Sequence, residues 1–233
     1  MKYKFALMVA ALLAISTSGN SQKQGWTDLS KGNIADSWHT YGNDGVTNAW
    51  TEVDGTFHLE GETPENKTTR KGGDLVTNQA YENFELELEW KISKGGNSGI
   101  IFLVQDNPRK YGATYLTGLE MQVLDNIEAH DNKLETHLAG SLYDLAGTAK
   151  TSRPKPVGAW NKAKVLLYKG HLQLFLNNVK TTDVQLWTPD WDKMVANSKF
   201  KSMPDFGKSK NGHIALQDHG DEVSYRNIRI KPL

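Results

Sequence analysis

Three stretches of the chain set hydrogen-bonding and ionisable side chains at every second position of an otherwise apolar run. Glu85, Glu87 and Glu89 alternate with Phe84, Leu86, Leu88 and Trp90; Glu120 and Gln122 alternate with Leu119, Met121 and Val123; Gln217, with His219 two residues on, follows Ile214 and Leu216. Carboxylates and imidazoles are the side chains that most often move protons, and amides both donate and accept hydrogen bonds. A surface made of them suits a neutral polyhydroxylated ring whose apolar face packs on aromatic residues, and seven tryptophans are available for that role. A charge in a strand as apolar as Leu119 to Val123 is costly unless it has a task, which singles out Glu120 and Gln122. Glu120, Gln122 and His219 also offer oxygen and imidazole ligands to a divalent ion. Plainer readings stand beside these. Glutamates at period two ordinarily form a solvated sheet face, and His219, between Asp218 and Gly220, sits where turn residues sit. Asn97-Ser98-Gly99, after Gly95-Gly96, reads first as a turn, and His213 with His219 is weak metal spacing.

The elements that would position these groups are short strands. The alternation of Phe84 to Trp90 predicts a strand with one buried face and three carboxylates on the other. Leu119 to Val123 and His213 to Gln217 repeat the split, and if the three strands are neighbours their polar faces form one cleft. Asn161 to Tyr168 and His171 to Leu176 are joined by Lys169-Gly170, a two-residue link that predicts a tight antiparallel hairpin. Further strands are expected at Thr56 to Leu59, Leu75 to Thr77, Gly99 to Val104 and Val223 to Ile230. Thr188, Pro189 and an acidic first turn predict one short helix over Asp190 to Ser198. Many short strands with 21 glycines spread through turns predict an all-β fold, an antiparallel β-sandwich of jelly-roll type.

Composition narrows the chemistry. The 233 residues carry 27 basic and 27 acidic side chains and no cysteine. Zero net charge without a basic stripe argues against nucleic acid as a partner. Without cysteine there are no disulfides, thiolate nucleophiles or lipid-modified N-terminal cysteine. No serine elbow of the Gly-x-Ser-x-Gly kind, His-Glu-x-x-His helix or phosphate-binding glycine loop is present.

Residues 1–22 read as a secretory signal: Lys2 and Lys4, an apolar run from Phe5 to Ile15, then small and polar residues. The run is well short of the roughly 20 residues needed to span a bilayer. Without Lys2 and Lys4 the mature chain has 25 basic and 27 acidic residues. The expectation is a periplasmic or secreted protein without membrane insertion, in which residues 23–233 form a single domain.

Several multi-residue stretches, taken in order, resemble the 3-keto-disaccharide hydrolase domain family. They are Gly25-Trp26-Thr27-Asp28-Leu29 with Trp38, Trp50-Thr51-Glu52-Val53-Asp54-Gly55, Phe84 to Trp90, Gly95-Gly96-Asn97-Ser98-Gly99-Ile100, Gly118-Leu119-Glu120-Met121-Gln122, Trp160-Asn161, Gly212 to Gly220 and Tyr225 to Ile230. The resemblance spans nearly all of the mature chain and implies a concanavalin A-like jelly roll that cleaves glycosides already oxidised to a ketone at C3. It implies Glu120, Gln122 and His219 as the core of the site, with His219 or Glu120 as base. Glu89, Asn97, Asp125 and Gln217 are the surrounding candidates for substrate binding. A divalent ion would be an optional electrophile, and an oligosaccharide or other glycoside the small-molecule partner. Substrate choice is expected in Leu116 to Leu119 and in the Ile127 to Leu138 loop. Two other readings use the same cleft: a non-catalytic carbohydrate-binding module, and a two-carboxylate glycosidase with Glu89 and Glu120 as its pair.

Overall fold

The computed structural model describes residues 25–148 and 153–233, so the expected leader lies outside the described residues. In chain order the elements are β1 (Thr27–Asp28), α1 (Ile34–Ser37), β2 (Trp38–Thr40), β3 (Trp50–Val53), β4 (Thr56–Leu59), β5 (Leu75–Thr77), β6 (Phe84–Ile92), β7 (Asn97–Val104) and β8 (Leu119–Leu124). They continue with β9 (Asn161–Tyr168), β10 (His171–Leu176), β11 (Val179–Gln185), α2 (Pro189–Ala196), β12 (His213–Leu216) and β13 (Val223–Pro232). Single 3₁₀ turns lie at Thr114–Leu116, Glu135–His137 and Lys199–Ser202. The strands form two antiparallel sheets. The larger runs β11-β10-β9-β6-β13-β4-β3, with β1 added on β13; the smaller runs β2-β5-β12-β7-β8. This is the antiparallel sandwich of jelly-roll type that the short-strand pattern predicts.

The sequence pattern explains why the sheets face each other as they do. Along β6, Phe84, Leu86, Leu88, Trp90 and Ile92 are buried while the three glutamates stay half-buried on the far face. There they pair with cations of neighbouring strands, Arg226 Nε to Glu89 Oε2 at 2.7 Å and Arg229 Nε to Glu87 Oε2 at 3.0 Å. Between the sheets, aromatic rings meet edge to face, Trp38 with Phe57 at 5.9 Å and Phe84 with Phe102 at 6.4 Å between centroids, an arrangement ring quadrupoles favour. The smaller sheet departs from simple alternation. From Ser98 to Val104 and from Leu119 to Leu124 both faces are buried, because loops lie over its outer side. Val76, Ile101, Val104 and Ala215 form a small apolar cluster there, with Tyr41 packed against it.

Lys169 and Gly170 both have positive φ, 50° and 79°, and close the β9–β10 hairpin with His171 opposite Tyr168, as the two-residue link requires. Thr188 caps α2 by accepting a hydrogen bond from the Trp191 amide, and Pro189 is its first residue. A second helix, α1, was not expected. It is one turn long, held by a capping box in which Asn33 accepts from the Ala35 amide and Asp36 from the Asn33 amide; four residues are too few to show helical periodicity.

Candidate active site

The outer face of the smaller sheet gathers the polar residues that alternation placed outward. Between β7 and β8, Gly99 lies opposite Gln122 and Ile101 opposite Glu120. Just past β12, the Gln217 amide donates to the Gly99 carbonyl at 2.9 Å, which sets Gln217 in the same row. The free edge of β8 is extended by Gly140 to Tyr143: the Gly140 amide donates to Gln122 at 2.8 Å, the Gln122 amide to Ser141 at 3.1 Å and the Tyr143 amide to Glu120 at 3.0 Å. Tyr143 therefore stands beside Glu120 across the pair, on the same face. A pocket of about 380 Å³ opens over these rows, lined by Asn97, Glu120, Gln122, Gln217, His219 and Tyr143. Its other walls are Tyr115, from the first 3₁₀ turn, and Lys199, Phe200 and Met203, from the third turn and just beyond it.

Glu120 is the electrostatic centre. Its side chain folds over Gly99, where an added Cβ would lie 2.3 Å from Oε1, so the carboxyl occupies space that only glycine leaves free. Burial pushes its pKa up to about 8, opposed by the charge of Lys199 and reinforced by Asp74 and Asp131. A carboxyl poised there exchanges protons near neutral pH. Around it three buried amide oxygens, Asn97 Oδ1, Gln122 Oε1 and Gln217 Oε1, have no hydrogen-bond partner. Buried polar atoms without partners are uncommon in folded proteins, and three of them belong to residues that line this one pocket.

His219 is exposed at the pocket mouth on a turn built by its neighbours. The Asp218 carboxylate is buried and accepts from Arg70 Nη2 at 2.7 Å, from the Gly73 amide at 2.8 Å and from the Gly220 amide at 2.9 Å. Asp74 accepts from the Asp218 amide at 2.9 Å and from the Thr114 hydroxyl; burial raises its pKa above the usual carboxylate range. The two aspartates tie the β5 loop, the Tyr115 turn and the His219 turn together.

The fold thus brings Glu120, Gln122, Gln217, Asn97 and His219 into one pocket and leaves two candidates elsewhere. Glu89 belongs to β6 in the other sheet and is bound by Arg226 and Asn227. It cannot face Glu120 across a cleft, so the idea that the three polar strands are neighbours is corrected. Period two says which side of a strand is polar but not which sheet the strand joins. Asp125 is buried and caps a turn, accepting from the Gly95 amide at 2.8 Å and the Ile127 amide at 3.0 Å. Among the described residues no three His, Cys, Asp or Glu side chains converge as a metal-ligand set; a divalent ion in the pocket would have Glu120 as its one carboxylate ligand. A larger groove, about 760 Å³, crosses the outer face of the other sheet, but its Glu87 and Glu89 are already ion-paired and, among the described residues, no unpartnered buried polar atom belongs to its lining.

The fold is a jelly roll with a polar pocket over one sheet and a buried carboxyl, Glu120, among its lining. The chain belongs to the family of the 3-keto-α-glucoside-1,2-lyase-like domain, whose model matches residues 25–231, and this is a carbohydrate-processing family. It is 38% identical over 229 residues to a 3-keto-disaccharide hydrolase of Bacteroides thetaiotaomicron, covering 90% of this chain and 79% of that protein. Two solved structures of glycosyl hydrolase candidates from Parabacteroides distasonis are also similar. One has 31% identity and a TM-score of 0.78, covering 90% of this chain and 94% of that one. The other has 26% identity and a TM-score of 0.67, covering 90% and 100%. Among the described residues no helix is long and apolar enough to cross a membrane.

Proposed function

We propose that this protein cleaves 3-keto-glycosides, 3-keto-disaccharides among them, by removing the proton at C2, expelling the C1 aglycone and adding water to the enone that results. A carbonyl at C3 acidifies the C2 proton, so cleavage proceeds through an enolate and needs no oxocarbenium ion. The site then has to supply a base near C2, donors or a positive charge at the enolate oxygen, and an acid for the departing oxygen. The observation that carries the reading is Glu120, a buried carboxyl with a pKa of about 8 among three unpartnered amide oxygens. Glu120 or His219 takes the C2 proton. The amides of Asn97, Gln122 and Gln217 hold the sugar hydroxyls, and Lys199, among the described residues the one lysine or arginine lining the pocket, lies on the side where the enolate charge can be offset. A two-carboxylate glycosidase is less well supported, because Glu89 and Glu120 sit on different sheets.

The test pairs native disaccharides with their 3-keto derivatives. Cleavage of the ketone alone, with deuterium entering C2 from heavy water or a 3-keto-2-hydroxyglucal released, supports elimination. Equal cleavage of both without exchange overturns it in favour of direct glycosidic hydrolysis, and binding without turnover makes the protein a carbohydrate-binding module. Elemental analysis and assay after dialysis against a chelator test the divalent ion as electrophile; unchanged activity in metal-free protein removes it. The leader reading adds export to the periplasm, tested by sequencing the native N-terminus, expected between Ser18 and Lys23; recovery of Met1 overturns it.

A further inference from the structure

Behind the pocket wall lies a chain of groups that the acid–base assignments above leave unused. The Tyr143 hydroxyl donates to Asp131 Oδ2 at 2.6 Å. Asp131 Oδ1 is 2.7 Å from Nδ1 of His137, whose Nε2 is 2.9 Å from Asp144 Oδ1. Asp144 is fixed in turn by accepting from the Lys199 amide at 2.7 Å. The His137 ring lies 4.5 Å from the Tyr143 ring, and Lys199 Nζ sits 3.9 Å over that same ring. Each nitrogen of His137 thus faces a carboxylate, so a proton on either one has an acceptor. The chain ends at Tyr143, a residue that lines the pocket and whose backbone amide is bonded directly to Glu120.

We propose that Tyr143 is the acid that protonates the departing aglycone oxygen, resupplied with a proton by His137 through Asp131. This rests on the elimination reading above. The step balances as follows. The C2 proton goes to the base, the C2–H electron pair forms the C1–C2 double bond through the enolate, and the C1–O bond breaks. His137 enters the step with a proton on each nitrogen. It passes one to Asp131 as the Tyr143 hydroxyl turns from Asp131 to the aglycone oxygen, which then takes the Tyr143 proton while Tyr143 takes the one on Asp131, leaving His137 with its remaining proton toward Asp144. Burial and the nearby Asp131, Glu120 and Asp144 hold the Tyr143 pKa far above that of a free phenol, so a free phenolate is disfavoured. The simultaneous return of a proton through Asp131 avoids forming one. Glu120 and Tyr143 stand opposite each other on paired segments and on the same face, so with Glu120 as the base, base and acid approach the sugar ring from one side. A wall residue with only a packing role would need no Asp131–His137 pair behind its hydroxyl.

The experiment uses the full mature protein and two 3-keto-glucosides, one with a 4-nitrophenyl aglycone that leaves without a proton and one with a methyl aglycone that does not. Tyr143→Phe is expected to lower kcat/KM roughly 100-fold or more for the methyl glycoside and less than about fivefold for the nitrophenyl one, within the range general acids contribute. In heavy water the variant should put deuterium at C2 of unreacted methyl glycoside faster than it cleaves it, because the enolate forms and returns. Equal losses on both substrates, with exchange and cleavage falling together, overturn the proposal. Asp131→Asn, which keeps the phenol, should show the same selectivity in weaker form and serves if Tyr143→Phe fails to fold. A wild type inactive on both ketones defeats the elimination reading itself, a result distinct from loss of the aglycone dependence.

Discussion

Glu120 lies over Gly99 so closely that a methyl group on Gly99 would approach its Oε1 to 2.3 Å and its Cδ to 2.8 Å. The neighbouring strand supplies the socket for the carboxyl simply by lacking a side chain. Gly99→Ala should therefore displace Glu120 while keeping the strand. Overpacking of this kind costs about 1–3 kcal/mol, which a melting curve will register as a modest shift. Turnover should fall at least about tenfold, since misplacement by an ångström of a catalytic group costs about that or more. Wild-type turnover in Gly99→Ala would mean that the carboxyl position is unimportant.

Glu120 also links stability to pH. Its pKa rises from 4.5 to about 8 on folding because burial disfavours the charge. The native state then holds a proton the unfolded chain has lost, so stability falls as pH rises from about 4.5 to 8 and levels off above. Glu120→Gln removes this effect. The variant should match the wild type in chemical denaturation at pH 4 and exceed it at pH 9 by on the order of 5 kcal/mol. Turnover of this variant drops roughly 10²–10⁴-fold if Glu120 is the base. If Glu120 is the base, wild-type kcat/KM climbs through pH 8; a fall through the same range assigns it as an acid instead.

Glu89 offers a control on the other sheet. It pairs with the partly exposed Arg226 at 2.7 Å, an interaction of about 1 kcal/mol or less. Glu89→Gln is expected to leave kcat/KM within about twofold and to shift the melting temperature slightly. A loss comparable to that of Glu120→Gln would require both carboxyls at one substrate, against their placement on opposite outer faces.

What could be read without the fold was local. The β6 alternation, the Lys169-Gly170 hairpin and the Thr188-Pro189 cap each depend on residues a few positions apart, and each appears where the pattern puts it. Glu120 and Gln122 were legible because a polar side chain in an apolar strand has to be explained. The sheet partner of β6 was not, because pairing is decided by contacts far apart in sequence. Tyr143, Lys199, Phe200 and Met203 were missed for a related reason. The segments carrying them have no period, and their place comes from the bonding of Gly140 to Tyr143 along β8 and from the turn after α2. Ser141-Leu142-Tyr143-Asp144, with alternate polar residues after Gly140, held a faint signal of that extra edge.

The His219 turn separates a chemical role from a structural one. The imidazole is exposed, whereas the Asp218–Arg70 pair behind it is buried, with 4% and 6% of the two side chains accessible. Removing one member of such a pair strands the other charge and costs about 3–5 kcal/mol, so Asp218→Ala should melt well below the wild type and lose turnover as the turn loosens. His219→Ala removes a ring that makes no hydrogen bond among the described residues and should melt as the wild type does. If His219 is the base, that variant loses roughly 10²–10⁴-fold in turnover and no longer exchanges the C2 proton of a 3-keto-glycoside in heavy water. Retained exchange in His219→Ala, with exchange abolished in Glu120→Gln, assigns the base to Glu120 and leaves His219 as a rim contact.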